Sequence, residues 1–369
     1  MIKQLFRQRI EMLRNYAAQK GYDGLLFSRC ENFSWVTFGA RNRVLLNSEV
    51  GVAHVLLIED RIYLMTNNIE KRRIEEIELD EDILPEIELV EYIWYKRLED
   101  VFKAFISGKK ILSDTGMLGT TDVSNEIDQM RLVLTEYELE NYRKLGKDCD
   151  EVFSKVMPTL KPEMTELEVA ARISLELMSK DIEPLLILVF GEESSMLYRH
   201  NLPRNVKVGN KVFVSICARR KGLIVSATRT VLFKRDEKWI EQHRRNCYVE
   251  ACAIARSRPG KKLCEVFEAI RKSYAEVGVP YEWSLHHQGG LAGYKAREII
   301  ASEMTDYVLR PNNVAAWNPT ITGTKSEDTV AITEEGFEIL SYPTSSGWPC
   351  VEFKIDGFVI KRPDILILS

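Results

Sequence analysis

The chain has 369 residues, 45% of them hydrophobic, with 51 lysines and arginines against 55 aspartates and glutamates for a net charge of −4. That length supports two domains with cores of their own, and the slightly acidic balance excludes a nucleic-acid or polybasic membrane surface. No apolar run approaches the ~20 residues that a bilayer span requires, so the sequence predicts no membrane and no nucleic-acid partner.

At the N-terminus, Ile2, Leu5, Phe6, Ile10 and Leu13 fall at helical spacing and predict a helix ending near Gly21. Charges run through this segment and no apolar h-region interrupts them, so it does not read as a secretory signal. Seven scattered cysteines without a CxxC pair predict reduced thiols and a cytoplasmic protein, with Cys247 and Cys252 packed on a helix. A strand is expected at Gly24 to Phe27, followed by a loop, within YDGLLFSRCENFSWVTFG. Val52 to Ile58 and Arg61 to Thr66 flank a Glu59-Asp60 turn as a hairpin. Charged helical segments follow at Glu70 to Glu78 and Leu98 to Ile106, then a short strand at Lys110 to Leu112.

A boundary near residue 130 divides the chain into 1–130 and 131–369. Thr135-Glu136-Tyr137-Glu138 and Thr165-Glu166-Leu167-Glu168 are capping boxes, each with a Thr hydroxyl and a Glu three residues on that satisfy free N–H groups at a helix start. Pro158 and Pro162 separate the two helices. A strand at Pro184 to Phe190 leads into a loop holding His200, and Lys211 to Thr230 then alternates apolar and other residues on both sides of an Arg219-Arg220-Lys221-Gly222 turn, which predicts a hairpin. Two amphipathic helices follow, Glu237 to Arg256 and Leu263 to Val277, broken at Arg258-Pro259-Gly260 and read as cover for a sheet. The tail holds a predicted Asp356-Gly357 hairpin that completes the main sheet.

Three stretches carry the chemistry. They are the hairpin with its trailing Thr228-Arg229-Thr230, the segment SLHHQGGLAGYKARE at 284–298, and AAWNPTITGTKSEDTVAIT at 315–333. Together they resemble the creatinase/aminopeptidase superfamily, which includes Xaa-Pro aminopeptidase and prolidase. The resemblance implies an α+β protein, with a pita-bread C-terminal domain behind a smaller creatinase-like α/β domain, and a homodimer. In the peptidases of this superfamily the hairpin carries two aspartates eleven residues apart, and Ser215 and Ser226 stand at that spacing here. The resemblance places Gly290 where the metal-binding histidine is expected and Asn318 where Glu-Pro begins with glutamate. Glu327 alone keeps its carboxylate.

A two-metal hydrolase needs carboxylates and imidazole to neutralise two divalent ions. Ser215, Ser226, Gly290 and Asn318 do not supply them, so no metal and no cofactor are expected. Creatinase implies another route, with a histidine for proton transfer and glutamates for a guanidinium. His200 and Glu327 match two of its positions, and Thr228 stands at the place of its second glutamate. The leading expectation is therefore a metal-independent C–N hydrolase for a small-molecule or short-peptide substrate, peptide-like, amide or guanidino. In it His200 is the general acid/base, His286 a second proton donor or oxyanion partner, and Glu327 the orienting or substrate-binding carboxylate. Two alternatives stand beside it. One is a non-catalytic binding protein whose Arg199, Arg219 and Arg220 suit an anion. The other is a mononuclear metallopeptidase using His200, His286, His287 and Glu327, against which neighbouring side chains of an extended segment point to opposite faces.

Overall fold

The computed structural model describes residues 1–342 and 345–368. The chain forms two units, Met1–Arg131 and Leu132–Ser369.

In the first unit the hairpin Val50–Ile58 and Arg61–Asn67 lies within a six-stranded sheet, beside the strand Gly24–Arg29, which pairs on its other side with Ile111–Ser113. Helices Ile2–Gln19 and Leu98–Ile106 pack here, and Leu26, Leu56, Met65, Phe102 and Ile111 form a buried cluster. The strand at Gly24 does not run into a loop. It is followed at once by the helix Cys30–Val36. The cause lies outside the segment: the buried Asp114 accepts the N–H groups of Ser28 and Arg29, both at 2.9 Å, and the Asn32 amide at 3.0 Å. A carboxylate more than eighty residues away thus fixes the first turn, and local composition cannot reveal it. Helix-like geometry at Glu70 to Glu78 becomes a short helix Lys71–Arg73 that widens into a π-turn at Ile74–Glu78.

In the second unit both capping boxes form. Thr135 opens Glu136–Val156 and Thr165 opens Glu166–Ser179, each hydroxyl accepting the N–H three residues on while the glutamate accepts the N–H of the threonine. The strands Glu183–Phe190, Lys211–Arg220 and Leu223–Leu232 form an antiparallel sheet. Its hairpin turns on only two residues, Lys221 and Gly222, both in the left-handed region at φ 51° and 80°, as a tight hairpin matching strand twist requires. Arg219 and Arg220 therefore belong to the strand. A second sheet contains Gly289–Ala292, Val314–Trp317 and Asp328–Ile332. The two sheets are joined where Leu223–Leu232 runs beside the start of Asp328–Ile332: the Thr228 N–H donates to the Glu327 carbonyl at 2.9 Å, and the Ser226 N–H to Thr329 Oγ1 at 2.8 Å.

Helices Glu237–Arg256 and Leu263–Glu276 cover the second sheet. Ile254, Val266 and Ile270 pack with Leu291, Ala315, Trp317 and Val330, each large apolar side chain contributing ~1.5–3 kcal/mol on burial. The tail differs from expectation. Cys350–Ile355 and Phe358–Pro363 form a separate two-stranded sheet around Asp356-Gly357, and only Leu366–Ile367 joins the main sheet, parallel to Val231–Leu232. All seven cysteines are free. Among the described residues no helix is long and apolar enough to cross a membrane.

Candidate functional site

The hairpin register sets the floor of the site. Ser215 pairs with Thr228 and Cys217 with Ser226, and residues directly opposite in a sheet share a face. The four side chains accordingly touch: Ser215 Oγ lies 2.6 Å from Thr228 Oγ1, and Cys217 Sγ 3.4 Å from Ser226 Oγ. Because the strand edge at Thr228 pairs with the backbone of Glu327, the Glu327 carboxylate reaches this floor and accepts the Thr228 hydroxyl at 2.9 Å. The expected positions 215, 226 and 327 are therefore brought together.

Two cations complete the cluster. Lys325 Nζ stands 3.0 Å from Glu327 Oε2, and Arg297 Nη2 donates to Glu327 Oε1 at 3.1 Å while its Nη1 donates to Ser226 Oγ at 3.1 Å. Glu327 and Lys325 are 3% and 4% exposed, so this ion pair is shielded from water, with Arg297 partly buried at its side. Burial works against the charged carboxylate, but Lys325 and Arg297, with hydrogen bonds from Lys325 and Thr228, outweigh it and hold Glu327 below its ordinary pKa. Reading the residues alone misses both cations. The signal was present: when carboxylates around a charged cage disappear, the cations that replace its ions should be sought nearby, and Arg297 adjoins Glu298 while Lys325 stands two residues before Glu327.

Both Glu327 oxygens, expected to orient or bind a substrate, are engaged within the chain. An internal guanidinium, that of Arg297, already occupies one oxygen, and Lys325 with Thr228 the other.

His200 and His286 are brought together, Nε2 to Nε2 at 3.0 Å, one donating to the other. His200 is exposed and His286 buried. Burial, then the nearby positive charge of Lys325, pushes His286 down to about 2 and lowers His200, whose pKa Glu327 pulls the other way. Burial and Arg297 push His287 down to about 4. The imidazoles are neutral at pH 7, and a single N–H is shared between the two Nε2 atoms.

Alternation fails as an objection to a shared ion. His286 and His287 lie in the connection between the turn Glu282–Leu285 and the strand Gly289–Ala292 rather than within a strand, and their rings stack at 4.5 Å and 23°. One nitrogen of each of His200, His286 and His287 falls within 4.8 Å of the others. Lys325 and Arg297 add positive potential at the same place.

Gly290 carries no donor, and its backbone accepts none. At φ 153° a Cβ would lie 2.0 Å from the Ile299 carbonyl oxygen. Asn318 is buried beside Gly289, with Oδ1 unpartnered. The three arginines expected to suit an anion are committed elsewhere. Arg199 binds Glu282, Thr320 and Thr322, Arg219 binds Glu183, and Arg220 binds Asp148.

Comparison with known proteins follows from this geometry. A model of metallopeptidase family M24 matches residues 140–334. The uncharacterized peptidase YqhT of Bacillus subtilis (strain 168) is 22% identical over 352 residues, spanning 90% of this chain and 98% of its own. The prolidase from Pyrococcus horikoshii OT3 superposes with a TM-score of 0.77 at 19% identity, over 91% of this chain and 98% of that one. The N-terminal domain of the FACT complex subunit SPT16 from chickpea (Cicer arietinum) superposes at 0.69 and 11% identity, over 93% of this chain and 97% of that one. The likeness to solved structures is one of fold, a pita-bread unit preceded by an α/β unit.

Proposed function

The chain belongs to metallopeptidase family M24, and from that premise we propose a peptidase-type hydrolase that cleaves a C–N bond in a small peptide-like or amide substrate without the family's dinuclear metal centre. One observation carries the reading. The ammonium of Lys325 and the guanidinium of Arg297 hold the two oxygens of Glu327 between the hydroxyls of Ser226 and Thr228. Two divalent ions do not fit this donor set, because they would stand against two fixed cations with a single carboxylate to offset them.

The residues present suit another division of work. Lys325 and Arg297 are fixed positive charges toward which a substrate carbonyl can develop negative charge. His200 is the general acid/base, open to solvent on one side, and His286 behind it, held neutral by burial, orients its ring over the 3.0 Å contact. Glu327 holds the two cations in place instead of binding substrate. A guanidino substrate fits less well than an amide, since Arg297 fills the place its guanidinium would take.

The purified chain is expected to contain no stoichiometric metal and to hydrolyse its substrate at a rate that a chelator leaves unchanged. His200→Ala is expected to lower turnover by ~10²–10⁴. Loss of activity on chelation, or full activity of His200→Ala, would refute the mechanism.

A second reading, a binding protein on the same scaffold, is compatible with a histidine pair that has no carboxylate to orient it. Ligand-induced stabilisation without turnover of any bound amide would select that reading.

A further inference from the structure

The second sheet ends on an open edge. Its last strand, Phe337–Ile339, pairs on one side only, with Asp328–Ile332. Thr333 and Gly336 exchange backbone hydrogen bonds at 3.0 and 3.4 Å, and bonded and non-bonded pairs alternate along an antiparallel ladder. Ala331 and Glu338 are therefore a bonded pair, and Phe337 and Ile339 turn their N–H and C=O groups outward.

The tail hairpin Cys350–Ile355/Phe358–Pro363 offers a second edge. Its two-residue turn, with Asp356 and Gly357 at φ 50° and 85°, closes on the bonded pair Ile355 and Phe358. Phe353 and Ile360 are the next bonded pair, so Val359 and Lys361 turn their backbone groups outward. Among the described residues, of the groups on these two edges only the Lys361 carbonyl has a partner, Arg362 Nη1 at 3.3 Å. Phe337, Ile339, Val359 and Lys361 all line one groove of about 680 Å³, with Trp348 also in its wall. The helix Glu237–Arg256 packs against both the tail hairpin and Val314–Trp317 of the second sheet, which places the two in one layer with the groove as a gap in it.

The two faces of this gap differ. On one, Phe337, Ile339 and Phe358 pack against the apolar core that holds Ile360. On the other, Arg143 and Lys147 of the helix Glu136–Val156 stand with Lys361, and Glu338 is the one carboxylate in the wall. Arg143 is already matched by Glu338 and Glu136. Lys147 and Lys361 have only exposed partners, Glu151 at 3.9 Å and Glu352 at 3.3 Å, and such pairs are worth little and easily exchanged.

We propose that the groove takes an extended acidic segment of a partner protein, which adds a strand between Phe337–Ile339 and Phe358–Pro363. Its backbone pairs with the outward groups of Phe337, Ile339 and Val359. Its alternate side chains point to opposite faces, apolar ones toward Phe337 and Ile360 and carboxylates toward Lys147 and Lys361. An open edge accepts strands of many sequences, and the two lysines select among them. The groove shares no residue with the cluster of histidines and Glu327, so this proposal stands or falls apart from the hydrolase reading.

A fluorescein-labelled peptide of about seven residues, alternating valine and glutamate and ~23 Å long when extended, tests this by fluorescence anisotropy on the full-length protein. It is expected to bind saturably, and its valine–lysine counterpart at least about tenfold more weakly. N-methylation of every second amide removes the bonds to one edge and is expected to cost at least about tenfold, the worth of two backbone hydrogen bonds. Val359→Pro deletes an outward N–H and leaves the hairpin's own ladder intact, since proline is tolerated where the N–H faces away from it, and should weaken binding. Lys361→Glu changes only an exposed side chain and is expected to weaken the glutamate peptide and strengthen the lysine one. Thermal midpoints check that both variants fold. No binding of the glutamate peptide, equal binding of the lysine peptide, or indifference to N-methylation or to Lys361→Glu would overturn the proposal. So would a dimer of this chain that Lys361→Glu dissociates, because a second copy would then be the occupant.

Discussion

His200 takes its protonation behaviour from the charges behind it. Burial lowers its pKa first, Lys325 lowers it further, and Glu327 raises it. A neutral His200 acting as base loses activity as pH falls through its pKa, so the acid limb of the rate profile is expected below 6.5, the ordinary imidazole value. Lys325→Met removes a lowering charge and should move the limb up. Glu327→Gln removes a raising one and should move it down. A limb that neither change displaces would take the proton-transfer role away from His200. Much of this residue set was legible in the sequence: the resemblance to the peptidase and creatinase motifs placed Ser215, Ser226, Thr228 and Glu327 in one cluster, with His200 and His286 beside it, before any coordinates. Arg297 and Lys325 were missed: the carboxylate that Arg297 reaches lies thirty residues on, and Lys325, although two residues before Glu327, gains its meaning only once it is set against the missing carboxylates. Gly290 could be read as a missing donor, but that the Ile299 carbonyl leaves no room for a side chain there is a fact of the backbone.

Strand alternation explains how two elements serve two chemistries. Along Leu223–Leu232, Thr228 faces the site and Arg229 the opposite side. Past the second sheet edge, Glu327 faces Lys325 while Asp328 turns to Arg229 and Arg362. Behind the site runs a fully buried ionic network in which Arg362 holds Glu250 and Asp328 and Arg229 holds Asp328. Removing one member leaves uncompensated charge in the interior. Arg362→Met is therefore expected to cost ~3–5 kcal/mol in chemical denaturation, and Arg362→Met with Glu250→Gln should recover part of it. A loss below about 1 kcal/mol, the usual worth of an exposed pair, would mean that the network is not closed to water. The hairpin and both capping boxes were readable because their signals are local. The helix Cys30–Val36 and the separate sheet Cys350–Ile355/Phe358–Pro363 were not, since a distant carboxylate, Asp114, fixes the first and packing on the helix Glu237–Arg256 holds the second.

Across the whole molecule, all five histidines lie below their ordinary pKa, burial being the largest cause for each. The unfolded chain then binds more protons than the native one as pH falls below 6.5, and stability is lost through that window toward the folded-state values. His54, fully buried in the first unit and pushed down to about 4, gives the scale: from pH 7 to pH 5 it alone removes about 2 kcal/mol. Glu250 opposes this, because burial first and Asp328 next hold its pKa above the ordinary carboxylate value, so the native state keeps a proton there that the unfolded chain has released. That contribution rises as pH falls over the same range. Asp114 and Asp150, raised by burial, act with the same sign as Glu250, but five lowered histidines against three raised carboxylates leave the balance with the histidines, and the denaturation midpoint is expected to drop between pH 7 and pH 5. His54→Asn should flatten the drop by its own share, whereas Glu250→Gln should steepen it. A midpoint that is flat or rises on acidification would mean that buried carboxylates, not buried imidazoles, govern the acid stability of the chain.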